Sequence, residues 1–291
     1  MRLFSYVNGQ GQAGIGALGK TDDGSFVDLV SVAPALPRDL GALIAVKDGL
    51  SAARDAVARA PGAARRSLEG IRFLPVVPRP PKIICLGLNY ADHAKEGGHA
   101  RPEYPSFFMR GATSLIGHQQ PIIRPKVSDK LDYEAELALI VGKQARHLTP
   151  ANALACLAGY SCCNDASIRD YQRKSNQWTI GKNFDGTGPL GPCLVTPDEL
   201  PAGCAGLRIQ SRLNGKIMQD ANTRDLLWNV VETLVLITEC MTLEPGDVII
   251  TGTPAGVGYA RNPPVFMAPG DVCEVEIEGV GILSNPIADE T

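Results

Sequence analysis

The amino-acid sequence predicts an α+β protein in which a small α/β N-terminal domain precedes a strand-rich main domain. The 291 residues are enough for about two domains. Four prolines lie within residues 75–81, a density that excludes both a helix and a central strand there. Beyond this segment, strand patterns outnumber helical ones and do not alternate with them regularly, which disfavours a doubly wound sheet.

The proline-rich segment sets the predicted domain boundaries. Residues 1–75 form the N-terminal domain, residues 76–81 a stiff linker, and residues 82–291 the main domain. Within the first domain, residues 1–34 show short strand-like runs separated by turns. Residues 38–60 are alanine-rich and predict a helix that ends before Pro61.

The main domain is predicted to begin and end with strands. In chain order its predicted elements are a buried strand at 82–87, a short polar helix around 92–96, a strand at 131–141, a helix at 149–157 with Thr149 as its N-cap, an amphipathic helix at 226–241, and strands at 248–251 and 272–277.

Composition argues against several classes of protein. Lys and Arg number 28 against 31 Asp and Glu, and this net charge of −3 disfavours binding to nucleic acid. No run of about 18 apolar residues is present, so we expect no membrane span. The first residues lack the apolar region of a secretory signal, so we expect a cytoplasmic protein.

The eight cysteines do not suggest a disulfide framework or a zinc site. None of them forms a Cys-x-x-Cys pair, and most lie in apolar runs. We therefore predict buried, unreactive thiols.

Alternating carboxylates are the sharpest local feature of the sequence. Asp132, Glu134 and Glu136 occupy every second position of a predicted strand, so the alternation of strand side chains places them on one face. Their oxygens would suit Mg²⁺, Mn²⁺ or Ca²⁺. An ordinary solvated strand face would show the same pattern.

A second acidic run repeats this spacing, because residues 274, 276 and 278 are also glutamates. Spacing alone does not choose between the two runs. Asp165 lies about thirty residues beyond Glu136, at the end of an apolar segment, and could supply a third ligand. Nothing comparable accompanies the second run, so the first is favoured.

His93 and Glu96 are spaced i, i+3 on the predicted polar helix and therefore share one face. A carboxylate beside an imidazole raises its basicity, which suits a general base. A surface ion pair has the same spacing, so both interpretations stay open. The glycine-rich stretches at 186–192 and 251–258 match neither a phosphate loop nor a dinucleotide fingerprint.

Five segments, in chain order, resemble the fumarylacetoacetate hydrolase family. The resemblance extends over about 200 residues, from 82 to 286, and the five segments that carry it are Gly87–His93, Asp132–Leu137, Asp165 with Arg169–Gln172, Gly181–Asp185 and Thr251–Gly258.

The resemblance implies a mixed β-roll main domain, a homodimer and a bound Mg²⁺ or Mn²⁺ ion. By position, it implies three groups of site residues. The metal ligands are Glu134, Glu136 and Asp165; the catalytic residues are His93, Glu96 and Lys182; the substrate-binding residues are Arg169, Gln172 and Thr253.

The resemblance also implies a 2-oxo acid substrate. The larger tyrosine-pathway hydrolase carries a further acidic ligand at a position that is Leu86 here, so this chain resembles the smaller acylpyruvase and decarboxylase branch. The favoured reaction is hydrolysis of a C–C bond in a 2,4-dioxo acid such as an acylpyruvate or fumarylpyruvate. Cleavage leaves an enolate whose charge the metal and Lys182 can stabilise, while His93 with Glu96 activates water.

Three alternatives share the same residues. They are decarboxylation of an oxaloacetate-like acid, isomerisation or hydration of a 2-oxo dienoate in aromatic catabolism, and a non-catalytic ligand-binding protein. We expect residues 97–105 and 259–264 to set which distal group the substrate carries.

Overall fold

Strands dominate the computed structural model, which describes residues 1–19, 24–96 and 103–291. The predicted strand-rich α+β class is confirmed. Residues 97–102, part of one segment predicted to set the distal specificity, lie outside the described residues.

Most strands are short, and several follow one another after brief turns. They are β1 (Arg2–Val7), β2 (Ala13–Leu18), β3 (Ser25–Asp28), β4 (Arg65–Ser67), β5 (Arg72–Phe73), β6 (Ile83–Gly87), β7 (Ser106–Met109), β8 (Leu115–Ile116), β9 (Ile122–Arg124), β10 (Leu131–Asp132), β11 (Ala135–Val141), β12 (Leu157–Asn164), β13 (Ser167–Ile168), β14 (Gly188–Val195), β15 (Arg208–Leu213), β16 (Lys216–Asn222), β17 (Val248–Ile250), β18 (Val272–Ile277) and β19 (Gly281–Asp289).

The helices are α1 (Leu29–Val32), α2 (Leu40–Ala45), α3 (Gly49–Arg59), α4 (Ala91–Glu96), α5 (Arg169–Gln172), α6 (Thr179–Lys182) and α7 (Val230–Cys240). Within the described ranges, no helix is long and apolar enough to cross a membrane.

Two mixed sheets organise the chain. The larger runs in the order β4-β3-β2-β1-β14-β12-β11-β17-β6-β7, and the smaller in the order β16-β15-β18-β19-β9. Most pairs are antiparallel, whereas β17 with β6 and β19 with β9 are parallel. A separate short pair joins β10 to β13.

The large sheet continues across the proline-rich segment. β1 pairs with β14 through Arg2 opposite Val195 and Leu3 opposite Leu194. Val76 is buried, and its backbone N–H donates to the carbonyl oxygen of Leu190. The segment therefore packs against the sheet, and the division of the chain at residues 76–81 stays a prediction.

Apolar side chains cover both faces of the large sheet. Along β11, Leu137 and Leu139 belong to one buried cluster, while Ala138 and Ile140 belong to the cluster on the opposite face. Central strands of this kind are buried on both sides, which explains the nearly continuous apolar run. Seven of the eight cysteines are also buried, and all eight are free thiols, as expected.

The predicted helix at 149–157 is wrong. A short 3-10 turn covers Ala153–Cys156, and the chain then enters β12 at Leu157. Pairing of β12 with both β11 and β14 supplies backbone hydrogen bonds and burial that outweigh the local helix-start signal.

Two other helix predictions hold only in part. The helix expected at 38–60 is split into α2 and α3, because Asp48 takes a left-handed conformation with φ 60°. The helix expected from residue 226 begins at Val230. There the Asn229 side chain caps the Glu232 N–H, and the Glu232 carboxylate accepts from the Asn229 N–H.

Candidate active site

Three buried carboxylates converge near the ends of the central strands. One oxygen from each of Glu134, Glu136 and Asp165 lies within 4.8 Å of the others. Glu136 belongs to β11, and Asp165 follows the last residue of the neighbouring β12. The Asp165 N–H donates to the carbonyl oxygen of Glu134 over 2.9 Å, which locks the two backbones together.

Three buried cations, Lys182, Arg110 and Arg169, pair with part of this cluster. The Lys182 Nζ lies 2.6 Å from Glu134 Oε2, 2.5 Å from Asp165 Oδ2 and 2.9 Å from the Asp165 carbonyl oxygen. The Arg110 Nη1 donates to Asp165 Oδ1 over 2.5 Å. Glu136 receives only the Gly252 N–H, at 2.5 Å, and no cation of the described chain pairs with it.

Because their surroundings differ, Glu134 and Glu136 have pKa values that are shifted in opposite directions. Burial raises the pKa of Glu134, but the charges of Lys182 and Arg169 outweigh it and lower that pKa to about 2. For Glu136, burial and the charges of Asp165 and Glu134 act in the same direction and raise its pKa well above the ordinary range. Glu136 is therefore the carboxylate whose charge lacks compensation.

The cluster fits a divalent cation. Carboxylate oxygens are ligands that Mg²⁺ and Mn²⁺ prefer, and three of them converge within one small volume. A bound cation would also supply the positive charge that Glu136 lacks. The predicted ligand set thus forms one group.

Asp132 does not join the cluster, contrary to the simple alternation of strand side chains. The strand predicted at 131–141 is interrupted, since Tyr133 and Glu134 lie between β10 and β11. The Asp132 carboxylate instead accepts the N–H groups of Gly258 and Tyr259, at 2.7 and 3.0 Å.

Arg169 connects the Asp132 carboxylate to the cluster of three carboxylates. Its Nε donates to Asp132 Oδ2 over 2.8 Å, and its Nη1 donates to Gln172 Oε1 over 2.9 Å. Its Nη2 lies 2.7 Å from Glu134 Oε1. The guanidinium is buried and its N–H groups already face protein oxygens, although sequence resemblance assigned it to the substrate.

His93 and Glu96 lie side by side on α4, as the i, i+3 spacing predicts; His93 lines the cavity that opens onto the carboxylates, whereas Glu96 does not. His93 Nδ1 lies 3.7 Å from Glu96 Oε2 and, within the described residues, has no hydrogen-bond partner. The Glu96 carboxylate accepts the Gly256 N–H at 3.0 and 3.1 Å. Burial raises the pKa of Glu96, but His93 and this N–H hold it below the ordinary value.

A cavity of about 530 Å³ opens onto the carboxylates. The predicted catalytic and substrate-binding residues His93, Lys182, Arg169, Gln172 and Thr253 line it. Their roles stay predictions. The Thr253 hydroxyl is already engaged, since it donates to the Ala135 carbonyl oxygen and accepts from Gln219 Nε2.

Apolar side chains form another part of the wall. Leu86, Phe108 and Trp178 line the cavity and make this part of its wall apolar. A Cβ at Gly87 would lie only 2.0 Å from the Trp178 ring. The absence of a side chain at Gly87 therefore lets this ring approach.

Several cavity residues carry no recognisable signal in the sequence. Trp178 and Arg173 line the cavity, but the sequence did not predict either of them as a site residue. Arg110 and Asp165 are 55 positions apart, and no local spacing links them. Tyr259 begins one of the two segments predicted to set the distal specificity, and it does line the cavity.

The second acidic run is part of an ion-paired strand face. On β18, Glu274 Oε2 lies 2.9 Å from Arg212 Nε, and Glu276 Oε2 lies 2.5 Å from Arg212 Nη1. These glutamates are satisfied by an arginine from the neighbouring β15. The structure thus favours the first run as the metal site.

Comparison with protein families gives one match that covers most of the chain. Residues 82–288 match the C-terminal domain of fumarylacetoacetate (FAA) hydrolase.

Individual relatives cover nearly the whole chain. The mitochondrial oxaloacetate tautomerase Fahd2a of Rattus norvegicus is 40% identical over 91% of this chain and 84% of the relative. The crystallised fumarylacetoacetate hydrolase of Exiguobacterium antarcticum is 36% identical, covers 100% of both chains and has a TM-score of 0.84. Maleylpyruvate hydrolase of Sphingobium sp. SYK-6, solved with manganese(II) and pyruvate, is 28% identical, again with full coverage of both chains, and has a TM-score of 0.81.

Proposed function

The chain belongs to the fumarylacetoacetate hydrolase family of enzymes, and from this premise we propose that it interconverts the keto and enol forms of oxaloacetate. The similarity to oxaloacetate tautomerase over 91% of the chain supports this choice within the family. The reaction needs a site that holds a 2-oxo acid, stabilises an enolate and moves one proton.

One observation carries the proposal: three carboxylates and the Lys182 ammonium converge on the floor of a cavity that His93 also lines. When bound, a divalent cation would supply Lewis acidity towards the carboxylate and 2-oxo groups of the substrate. Mg²⁺ or Mn²⁺ is the proposed ion, with Glu134, Glu136 and Asp165 as its ligands.

The chain's own residues account for the proton transfer. His93 takes or returns the proton at C3, because its imidazole lines the cavity; the Glu96 carboxylate lies nearby, 3.7 Å from Nδ1, without a hydrogen bond to it. Lys182 stabilises the negative charge that develops on the 2-oxo oxygen as the enolate forms. No attacking water is required, which distinguishes this reaction from hydrolysis.

Hydrolysis of a C–C bond in an acylpyruvate is the second candidate. The buried His93 Nδ1 has no hydrogen-bond partner among the described residues and lies beside a carboxylate, an arrangement suited to activating water. The similarity to maleylpyruvate hydrolase favours the same candidate.

A homodimer is proposed as the assembly. Met109 and Ile180 are exposed apolar side chains on neighbouring segments, joined by the Asn183 side chain, which donates to the carbonyl oxygens of Met109 and Thr179. Light scattering on the purified protein tests this assembly. The cytoplasmic location stays a prediction, since the rat relative is named mitochondrial.

A direct assay separates the candidate reactions. Oxaloacetate, acetylpyruvate and fumarylpyruvate are supplied with Mg²⁺, with Mn²⁺ or with EDTA, and both enol absorbance and pyruvate release are recorded. Metal-dependent equilibration of the oxaloacetate enol without pyruvate release is the expected result. Pyruvate from the diketo acids would indicate hydrolysis, and pyruvate from oxaloacetate would indicate decarboxylation.

His93→Ala serves as the matched variant in this assay. It should lose enol equilibration while keeping its affinity for Mn²⁺, because His93 lies outside the carboxylate group. Near-full turnover by this variant would reject His93 as the base.

A further inference from the structure

Arg173 places an exposed positive charge on the rim of the cavity. Its guanidinium lies 4.3 Å from the centre of the Tyr259 ring. In the described part of the chain, no carboxylate forms an ion pair with Arg173, and its side chain makes no hydrogen bond to protein. Its N–H groups are therefore available to a ligand.

Tyr259 holds this arginine in place. The ring also lies 4.5 Å from the Arg169 guanidinium, and the Tyr259 N–H is anchored to Asp132. Stacking of a guanidinium on an aromatic ring restricts its movement and leaves its edge N–H groups free. Arg173 is thus more ordered than an isolated surface arginine, although it is solvent-exposed.

The neighbouring arginine cannot serve the same purpose. The Arg169 Nε and Nη1 already donate to Asp132 and Gln172 at 2.8 and 2.9 Å, and Nη2, which makes no hydrogen bond within the described residues, lies 2.7 Å from Glu134 Oε1 as an ion pair. Turning Arg169 towards a substrate would leave a buried carboxylate without its partner, which is strongly unfavourable. A second anionic group of a substrate would therefore meet Arg173.

The polar surroundings of Arg173 fit the same conclusion. Gln172 and Asn176 line the cavity beside it with side-chain amides that can donate hydrogen bonds, whereas Phe108 on β7 and Trp178, two residues after Asn176, form its apolar wall. This rim suits a carboxylate better than an alkyl group.

The formal charges point to a substrate with two negative charges. The floor of the cavity is surrounded by four buried carboxylates, Asp132, Glu134, Glu136 and Asp165, and by three buried cations, Arg110, Arg169 and Lys182. Their formal charges sum to one negative charge. A divalent ion changes that balance to one positive charge, and Arg173 adds another. A dianion would neutralise both.

We propose that Arg173 binds the distal carboxylate of the substrate and so selects dicarboxylic 2-oxo acids over monocarboxylic ones. This inference rests on the proposed action on 2-oxo acids and specifies the substrate class. Oxaloacetate and 2-oxobutanoate are the appropriate pair, because they share a four-carbon 2-oxo acid and differ in a carboxylate or a methyl group at the far end.

The test compares Arg173→Met with Lys174→Met in the Mn²⁺-loaded enzyme. Lys174 is the adjacent residue, carries the same charge and rests on the Tyr171 ring, but it does not line the cavity. Enzyme-catalysed exchange of the C3 protons in D₂O gives kcat/KM for each acid. Stopped-flow quenching of tryptophan fluorescence, to which Trp178 in the cavity contributes, gives the relative affinities independently of turnover.

Arg173→Met is expected to lower the oxaloacetate-to-2-oxobutanoate ratio of kcat/KM about 3- to 10-fold, mainly through KM, as for a partly exposed charge pair. Lys174→Met should change that ratio less than about twofold, and Arg173→Lys should retain part of the preference. Equal ratios in Arg173→Met and Lys174→Met would overturn the proposal.

Failure of the proposed function has a different signature. If the wild-type enzyme accelerates exchange of neither acid, action on oxaloacetate is rejected, and the affinities decide the role of Arg173. If the wild-type enzyme binds oxaloacetate more tightly than 2-oxobutanoate and Arg173→Met removes this difference, the proposed role of Arg173 is supported. Equal affinities of the two acids for the wild type overturn it.

Discussion

Glu136 combines complete burial with the absence of a cationic partner in the described chain. Its neighbours Glu134 and Asp165 both contact the Lys182 ammonium, whereas Glu136 accepts a single backbone N–H. A buried, unpaired carboxylate is unfavourable and takes up a proton when nothing else neutralises it. A cation that binds here would replace that proton.

Glu136→Gln should therefore raise the stability of the metal-free protein and at the same time weaken its binding of Mn²⁺. The neutral amide removes the uncompensated charge, so the melting temperature of the metal-free protein should rise. Loss of one of three ligands should weaken Mn²⁺ binding by about 100-fold or more. Calorimetric titration and thermal melts measure the two effects.

Glu274→Gln is the control for this substitution, because Glu274 belongs to the ion-paired run on β18. It should leave Mn²⁺ affinity unchanged. Equal losses in both variants would place the metal elsewhere.

Lys182 is expected to be needed for turnover and to oppose metal binding. In Lys182→Met, the ammonium no longer occupies the Glu134 and Asp165 oxygens, so Mn²⁺ should bind more tightly. Turnover of oxaloacetate should fall about 100- to 1,000-fold, the usual cost of removing one charge-stabilising donor. Titration calorimetry and C3 proton exchange on the same sample test both parts, and undiminished exchange would contradict the role given to Lys182.

At the scale of elements, the loop after β17 connects the carboxylates of the candidate site to the rim of the cavity. Gly252 donates to Glu136, Gly256 to Glu96, and Gly258 to Asp132, so backbone N–H groups of one loop hold three carboxylates. Side chains at some of these positions would prevent the approach. A Cβ at Gly258 would lie 1.9 Å from the Val265 carbonyl oxygen.

Gly258→Ala should displace this loop. The clash is with backbone, so relief requires movement of the chain around Tyr259, and a destabilisation of about 1–3 kcal/mol is expected. KM for oxaloacetate should rise as well, because Tyr259 supports Arg173. Chemical denaturation and steady-state kinetics provide the measurements.

The matched control for this loop is Gly62→Ala, where an added Cβ meets no atom within 4 Å. It should change stability by less than about 0.5 kcal/mol. If Gly258→Ala behaves in the same way, the loop is not held as described.

For the whole molecule, the acidic cluster couples folding, pH and metal binding. The raised pKa of Glu136 means that the folded protein retains a proton which the unfolded chain releases near pH 4.3. The metal-free protein therefore loses stability as pH rises above that value. Glu134 acts oppositely and at lower pH, since its stabilising contribution is lost as pH falls towards about 2.

The increase in melting temperature caused by Mn²⁺ should consequently grow between about pH 5 and pH 8. Metal binding requires deprotonated ligands, and the proton on Glu136 competes less at higher pH. Thermal melts with Mn²⁺ and with EDTA across this range give the difference. Glu136→Gln should flatten the pH dependence, and a constant difference in the wild type would argue against proton competition at this site.

The sequence by itself determined the strand-rich class and the chemistry of the candidate site. Apolar residues such as Leu137 and Leu139 recur through β11, and burial of such patterns does not depend on a particular partner. The candidate metal ligands Glu134, Glu136 and Asp165 could be named because the resemblance assigns residue types by position in ordered motifs. The i, i+3 pairing of His93 with Glu96 could be predicted because helical geometry is local.

Only the tertiary structure decided which acidic run forms the cluster and what surrounds it. Glu274 and Glu276 are neutralised by Arg212 from β15, while Asp132 turns away to hold the loop at 258–259. The contact between Arg110 and Asp165 likewise joins distant positions. Strand pairing and loop packing bring such groups together, and because these depend on contacts between segments far apart in the chain, spacing along the sequence does not encode them.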